Sequence, residues 1–349
     1  MPFKLQKIVV EAEAASYKLT QQLLARFASV KHEFVSQLKT RKDGFKANEL
    51  ILAKQKGRFV KKCPGTPSYN CCNYYVLNLG IGCFFNCTYC YLHYYMNSPY
   101  LLYVNIEDLL LEVKRLAQAK FPQTVRLGSG EFIDSLGFDE LVPVHPFLIE
   151  SFANLPNIVF EVKTKSNYVQ QLLNLKHKGK TVVSWSVNPP AVIQQEEQMT
   201  ASLEQRLKAA QLCQEAGYKV GFHFDPLIYY PNWQKDYKKV VALIFQLLKP
   251  ETVAWISLGA LRFKPELKEV MQEKFPHSKI VYGELVPGLD GKLRYFRPLR
   301  QKMFATLVSY IRSYSQDVPV YLCMENRQLA KAVGAEAPFN YDHTRRHGH

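Results

Sequence analysis

The segment TVVSWSVNPPAVIQQEEQMTASLEQRLKAAQLCQEAGYKVGFHF, residues 181–224, sets two short β-rich runs around a helical one. TVVSWSV at 181–187 and YKVGFHF at 218–224 are dense in β-branched and aromatic residues, the composition of strands. Between them, TASLEQRLKAAQLCQEAG carries helix formers from a Thr200 cap to Gly217, a residue that ends helices because it enters the left-handed region without steric cost. Strands joined in this way pair as parallel neighbours through a right-handed crossover.

The same alternation extends in both directions. Strands are expected at YYVLNLG near 74–80, TVRLG at 124–128, NIVFEVKT at 157–164 and TVAWISLG at 252–259, which brings the count to six βα units. The helix NIEDLLLEVKRLAQAK starts at an Asn105 cap, with Glu107 and Asp108 in its first turn to complement the dipole. Six units fall short of the eight of a closed TIM barrel. The expected fold is therefore α/β, an open partial (β/α)6 barrel with its chemistry at the C-terminal strand ends. A doubly wound sheet is the alternative.

The flanks read differently. Leu19, Leu23, Leu24, Phe27, Val30 and Phe34 recur at helical spacing, which predicts an amphipathic helix within 11–40, ahead of the break at Cys63-Pro64-Gly65. Beyond 285, PGLDGKLRYF contains an Asp290-Gly291 turn between extended runs, a helix is expected from near Pro298, and a short one between Glu325 and Ala335. The expected division is a basic helical extension at 1–73, the barrel at 74–285, and a hairpin, helix and histidine-rich tail at 286–349.

Charge follows a similar division. Of the net +15, residues 1–65 carry +9 and residues 286–349 carry +5, leaving +1 for the centre. A near-neutral body between basic ends suits a catalytic barrel whose additions grip a polyanion, and nucleic acid is the candidate. With 349 residues, 47% hydrophobic and 21% charged, the chain has material for a sizeable core, which excludes a peptide hormone, a disulfide knot and a disordered chain. No stretch approaches the roughly 18 to 20 apolar residues of a membrane span, and the N-terminus lacks a signal-peptide core. The expected location is cytoplasmic, where eight cysteines point to metal or redox chemistry rather than a disulfide framework.

Three of those cysteines follow the first strand. In GIGCFFNCTYCYLHYY, Cys83, Cys87 and Cys90 are spaced C-x3-C-x2-C. Three thiolates on one loop can hold three corners of a cuboidal iron–sulfur cluster, leaving the fourth iron open to an external ligand. Structural zinc, with His93 completing a Cys3His set, is the competing reading. Cys213 and Cys323 are expected in the core, as small apolar residues.

The triplet resembles the signature of the radical S-adenosylmethionine (SAM) superfamily, C-x3-C-x-aromatic-C, with Tyr89 as the aromatic. That resemblance implies a 4Fe–4S cluster on Cys83, Cys87 and Cys90. It implies SAM on the open iron, a 5′-deoxyadenosyl radical, and an electron donor such as a flavodoxin or ferredoxin. Gly128-Ser129-Gly130-Glu131, after the second strand, is similar to the superfamily motif that holds the SAM amino group. A carboxylate facing an ammonium there makes a charge-assisted hydrogen bond.

From about Lys61 to Arg300 the chain more narrowly resembles the spore photoproduct lyase family, radical SAM enzymes that reverse a thymine dimer in DNA. The matching pieces are CTYCYL, the VNIED helix start, RLGSGEFIDSLGFD, KTKSNYV, SWSVN and AGYKVGFHFDPLIYY. The resemblance implies SAM contacts from Lys165 and Ser186, Tyr89 beside the adenine, and Tyr91 near the radical relay. GKLRYFRPLR is similar to the family's basic hairpin, which implies DNA contacts from Lys292, Arg294, Arg297 and Arg300. Tyr295 or Phe296 would then stack where a base is extruded.

One departure stands out. The family's lyase returns a hydrogen atom from a cysteine, and aligning RLGSGEFIDSLGFD puts Glu131 at that position. A carboxylate has no weak X–H bond to donate. Cys63, Cys71 and Cys72 are the nearest replacements in sequence, with Cys72 taken as the hydrogen-transfer candidate. The expected function is radical SAM repair of a pyrimidine photoproduct in DNA. The alternatives are a radical SAM enzyme for another nucleic acid or a peptide, and a non-catalytic, metal-containing nucleic-acid-binding protein.

Overall fold

All six expected strands form, and they lie side by side in the order in which the chain makes them. The computed structural model describes residues 5–38, 48–63, 65, 69, 74–95 and 100–336. Its main sheet runs Tyr74–Leu77, Val125–Gly128, Ile158–Thr164, Thr181–Ser186, Lys219–Leu227 and Val253–Ala260, every neighbouring pair parallel. A doubly wound sheet reverses its strand order at a switch point, and this sheet does not, so the curled half-barrel is the correct member of the pair. A seventh parallel strand, Val320–Leu322, extends it at one edge, and Val60–Lys62 pairs antiparallel at the other.

The central strands explain themselves. Every residue of Thr181–Ser186 is buried, as expected for a parallel strand covered on both faces. The helix that follows, Leu203–Glu215, begins at Ser202 rather than at Thr200. Ser202 and Gln205 form a reciprocal capping box, which satisfies two otherwise orphaned N–H groups. Thr200 instead donates its hydroxyl to the Glu197 carbonyl. Asn105 does precede Ile106–Lys120, but its amide bonds Gln55 and Asp108 and caps no backbone N–H of the helix.

The N-terminal expectation needs a larger correction. Among the described residues the one α-helix there is Lys18–Arg26, preceded by a 3-10 turn at Ala12–Ala14, and Lys7–Glu11, Lys31–Val35 and Glu49–Ala53 are strands. They join Tyr100–Tyr103 and Gly80–Ile81 in a second, five-stranded sheet, parallel except for the last pair. Ile8, Val9 and Val10 are fully buried in its middle. Helical spacing of single apolar residues misled here because three short β-rich runs, separated in sequence, bury one another only as a sheet. Gly80 has no alternative residue, since a Cβ there would sit 2.1 Å from the Leu101 carbonyl oxygen.

At the C-terminal end, Leu285–Pro287 and Leu293–Tyr295 form the expected hairpin, with Gly291 at φ +73° in its turn, and Arg262–Phe263 adds a third strand. The helix Arg297–Arg312 follows as expected, and the short one runs Arg327–Ala332, capped by Asn326. No helix of the described residues is long and apolar enough to cross a membrane. The tail from residue 337, and Cys71 and Cys72, lie outside the described residues.

Candidate active site

The cysteine loop leaves the second sheet at Gly80–Ile81 and crosses the mouth of the barrel. Asn86–Cys87 pairs antiparallel with Glu197–Gln198, reinforced by the Asn86 amide donating to Gln198 Oε1 at 3.0 Å. A tight turn brings the Cys90 N–H onto the Cys87 carbonyl at 3.1 Å, and the helix Leu92–Tyr95 starts directly after. Burial pushes all three thiols up. Asp134 and the other two cysteines push Cys83 further, while Lys165 pulls Cys87 and Cys90 back.

The three thiols therefore lie within electrostatic reach of one another, on one braced loop. Such desolvated groups ionise when they coordinate metal. His93 turns away from them, its Nε2 donating to the Cys87 carbonyl at 2.9 Å and its ring against Phe275. Among the described residues no three His, Cys, Asp or Glu side chains converge on the point a single metal ion would occupy. A three-thiolate set with no histidine turned toward it fits an iron–sulfur cluster better than Cys3His zinc.

The loop after the second barrel strand is fastened to the cysteine loop at two points. Gly82 N–H donates to the Phe132 carbonyl at 3.0 Å, and the Tyr91 hydroxyl donates to the Glu131 carbonyl at 2.6 Å. Gly130 allows a close approach to the third strand, because a Cβ there would lie 2.9 Å from the Lys163 carbonyl oxygen. The Glu131 carboxylate acts on both Cys90 and Lys163. Gly128 and Ser129 are buried, and Ser129 belongs to a closed relay. The Lys163 N–H donates to Ser135 Oγ, Ser135 and Ser129 share a hydrogen bond of 2.8 Å, and Ser129 meets His145 Nε2 at 2.8 Å. His145 Nδ1 meets Asp139 at 2.6 Å.

Lys165, at the end of the third strand, has its N–H on Asp134 Oδ2 and its ammonium over the Tyr89 ring at 5.8 Å. The Tyr89 hydroxyl donates to Glu197 Oε1 at 2.5 Å, and Ser186 ends the fourth strand. Burial alone would raise the Glu197 carboxyl, but Arg206, Lys165 and two hydrogen bonds hold it down to about 2. The expected cofactor residues thus gather at one mouth. Nothing in the polar run QQEEQMT distinguished Glu196 and Glu197 in advance, because their partners are distant in sequence. Cys323 is also corrected: it is half-buried at the C-terminal end of the seventh strand, its Sγ 3.7 Å from Arg262 Nη2. Cys213 is in the core, as expected.

The DNA-facing set divides. Arg294 is 2% exposed, ion-paired with Asp290 at 2.5 Å and lying over the Tyr69 ring. Tyr295 is also 2% exposed, its hydroxyl accepting the Tyr229 N–H. Arg300 is buried and paired with Glu325. These three serve the fold: Arg294 and Tyr295, successive residues on opposite faces of the middle strand, are both buried, and Arg300 is buried in the helix that follows. Arg297 is exposed and Lys292 partly so. The other exposed groups of the hairpin are apolar: Leu289 at 76%, with Val286 and Phe296.

A model of the family "Spore photoproduct lyase" matches residues 3–287. Spore photoproduct lyases of Geobacillus sp. (strain Y412MC61) and Bacillus subtilis (strain 168) are 28% and 27% identical, each over 81% of this chain and 86% of theirs. The Clostridium acetobutylicum enzyme is 25% identical over 84% and 87%. A solved spore photoproduct lyase mutant with bound AdoMet and dinucleoside spore photoproduct superimposes with a TM-score of 0.81 at 23% identity, covering 92% of this chain and 99% of that one.

Proposed function

We propose, from the premise that the chain belongs to the spore photoproduct lyase family, that it is a radical SAM lyase that repairs a pyrimidine photoproduct in DNA. The observation that carries this reading is the joining of the cysteine loop to the Glu131 loop at the C-terminal mouth of the barrel. Cys83, Cys87 and Cys90 would hold a 4Fe–4S cluster. Glu131 would meet the SAM amino group, with Gly128, Ser129 and Gly130 shaping the loop, and Tyr89, Lys165 and Ser186 would line the rest of the cofactor. Cluster and SAM, when bound, would supply radical chemistry able to take a hydrogen atom from the substrate. An electron donor such as a flavodoxin or ferredoxin is the partner that chemistry requires, and a DNA substrate accords with a cytoplasmic location.

The chain's own residues orient and shield. Lys163 and Lys165 supply positive charge beside the cysteine loop and the Glu131 carboxylate. Tyr91, held on the Glu131 carbonyl, has a phenol at the mouth and is the proposed hydrogen relay. The thiols to test as hydrogen source are Cys72 and Cys323.

Anaerobic incubation of the reconstituted, reduced protein with SAM and ultraviolet-irradiated DNA is expected to release 5′-deoxyadenosine and repaired thymine, followed by mass spectrometry. Deoxyadenosine without repair would point to the second reading, another substrate on the same scaffold, which Glu131 at the donor position favours. The absence of both products would overturn the enzyme assignment.

On the DNA side, Arg297→Ala is expected to reduce the slope of log affinity against log salt by about one, the loss of one phosphate contact. Arg294→Ala is expected to leave that slope unchanged and to lower stability, because it strands buried Asp290. Equal salt slopes for Arg297→Ala and the unaltered protein would remove Arg297 from the DNA surface.

A further inference from the structure

We propose that the buried Glu197–Arg206 pair is the positioning element for SAM, holding Tyr89, Lys165 and Ser186 in one arrangement although they come from three separate segments. The inference rests on the functional reading above and deepens it. Glu197 Oε1 accepts the Tyr89 hydroxyl at 2.5 Å and the Asn188 amide at 2.9 Å, and Glu197 Oε2 lies 2.6 Å from Arg206 Nη2. Arg206 directs its N–H groups elsewhere: Nη1 to the Ser186 carbonyl at 2.9 Å, Nε to the Ala201 carbonyl at 2.9 Å, and Nη2 to Thr200 Oγ1 at 2.6 Å. The Ala201 N–H donates in turn to the Lys165 carbonyl at 3.0 Å. One ion pair therefore reaches all three residues.

Local folding does not require these bonds. The helix bearing Arg206 is already started by Ser202 and Gln205. Nor is stability a sufficient reason for the pair, because desolvating two charges offsets most of their attraction, and apolar side chains of equal volume serve a core as well or better. What a buried pair supplies, with Glu197 Oε1 and each Arg206 nitrogen hydrogen-bonded to a neighbouring segment, is direction. Glu197 is also paired across the sheet with Cys87, and its neighbour Glu196 accepts the Thr88 and Ser278 hydroxyls. Two adjacent carboxylates thus grip both residues that lie between Cys87 and Cys90. A tyrosine pinned at its hydroxyl presents a fixed ring face, which suits it to lie against a purine.

The test uses full-length protein with its cluster reconstituted anaerobically, and reads SAM binding by equilibrium dialysis with labelled SAM, alongside iron content and thermal midpoint. Glu197→Gln keeps the size and an acceptor oxygen but removes the charge. It is expected to retain iron and to weaken SAM binding about ten- to a hundredfold, the range for one charged hydrogen bond. Tyr89→Phe removes only the hydroxyl and is expected to weaken binding as well. The double variant should bind no worse than the poorer single one, since both cut the same link. Independent, multiplying losses would overturn the proposal, as would a Glu197→Gln protein that binds SAM like the unaltered one. Should Glu197→Gln fail to fold, undiminished SAM affinity in Tyr89→Phe would overturn it alone. Absence of SAM binding by the unaltered protein would instead defeat the functional reading and this inference with it.

Discussion

Cys87→Ala is expected to abolish the iron–sulfur absorbance and SAM cleavage together. Cys87 is the most buried of the three loop thiols, and its loss leaves two cysteines, too few to retain a cuboidal cluster. The fold should persist, because the Asn86–Cys87 strand pairs with Glu197–Gln198 through backbone groups. Cys213→Ala provides the contrast: that thiol lies in the core of a helix remote in sequence from the loop, so its removal should cost some stability and no iron. Iron content and 5′-deoxyadenosine yield, measured on both variants, decide the matter. A Cys87→Ala protein with full cleavage would sink the cluster assignment.

The second large effect concerns stability. Inside the barrel, Glu161 accepts hydrogen bonds from Arg126 Nη2 at 2.8 Å, Ser184 Oγ at 2.7 Å and His223 Nε2 at 2.7 Å. The Arg126 guanidinium lies over the Trp255 ring at 3.9 Å and also donates to the Tyr321 hydroxyl. Burial pushes the Glu161 carboxyl up, but Arg126 and His223 more than offset it and hold the group well below the usual carboxylate range. Glu161→Ala would remove the carboxylate paired with the largely buried Arg126 guanidinium, and breaking a buried pair costs about 3–5 kcal/mol in comparable sites. Urea unfolding is expected to show a loss of that order. A loss below about 1 kcal/mol would mean that water enters the barrel and solvates Arg126.

The two carboxylates at issue, Glu161 and Glu197, show where reading the chain reaches its limit. Glu161 sits within NIVFEVKT, which was legible as a strand, yet its partners Arg126, Ser184 and His223 come from three other strands. Glu197 pairs with Arg206 nine positions on and with Tyr89 far upstream. Neither residue type nor spacing announces such contacts. The hairpin fails in the same way: arginines alternating with aromatics read as a nucleic-acid surface, but packing on both sides of the middle strand turned Arg294 and Tyr295 inward.

What the sequence by itself determined is local and periodic: the six barrel strands, the helices Ile106–Lys120 and Leu203–Glu215 between them, and the cysteine triplet, whereas the third and fourth strands are joined through the 3-10 turn Gln170–Leu172 alone. Short-range preference and chain continuity suffice for these, since a strand–helix–strand run has one favourable way to fold back. The Ser202–Gln205 capping box is a local signal that the Thr200 reading passed over; only the tertiary structure decided that the N-terminal segment builds a second sheet and which charges are buried in pairs. Those outcomes depend on surfaces supplied by residues distant in sequence. The free energy of burying a strand or a charge is set by its eventual neighbours rather than by its own composition.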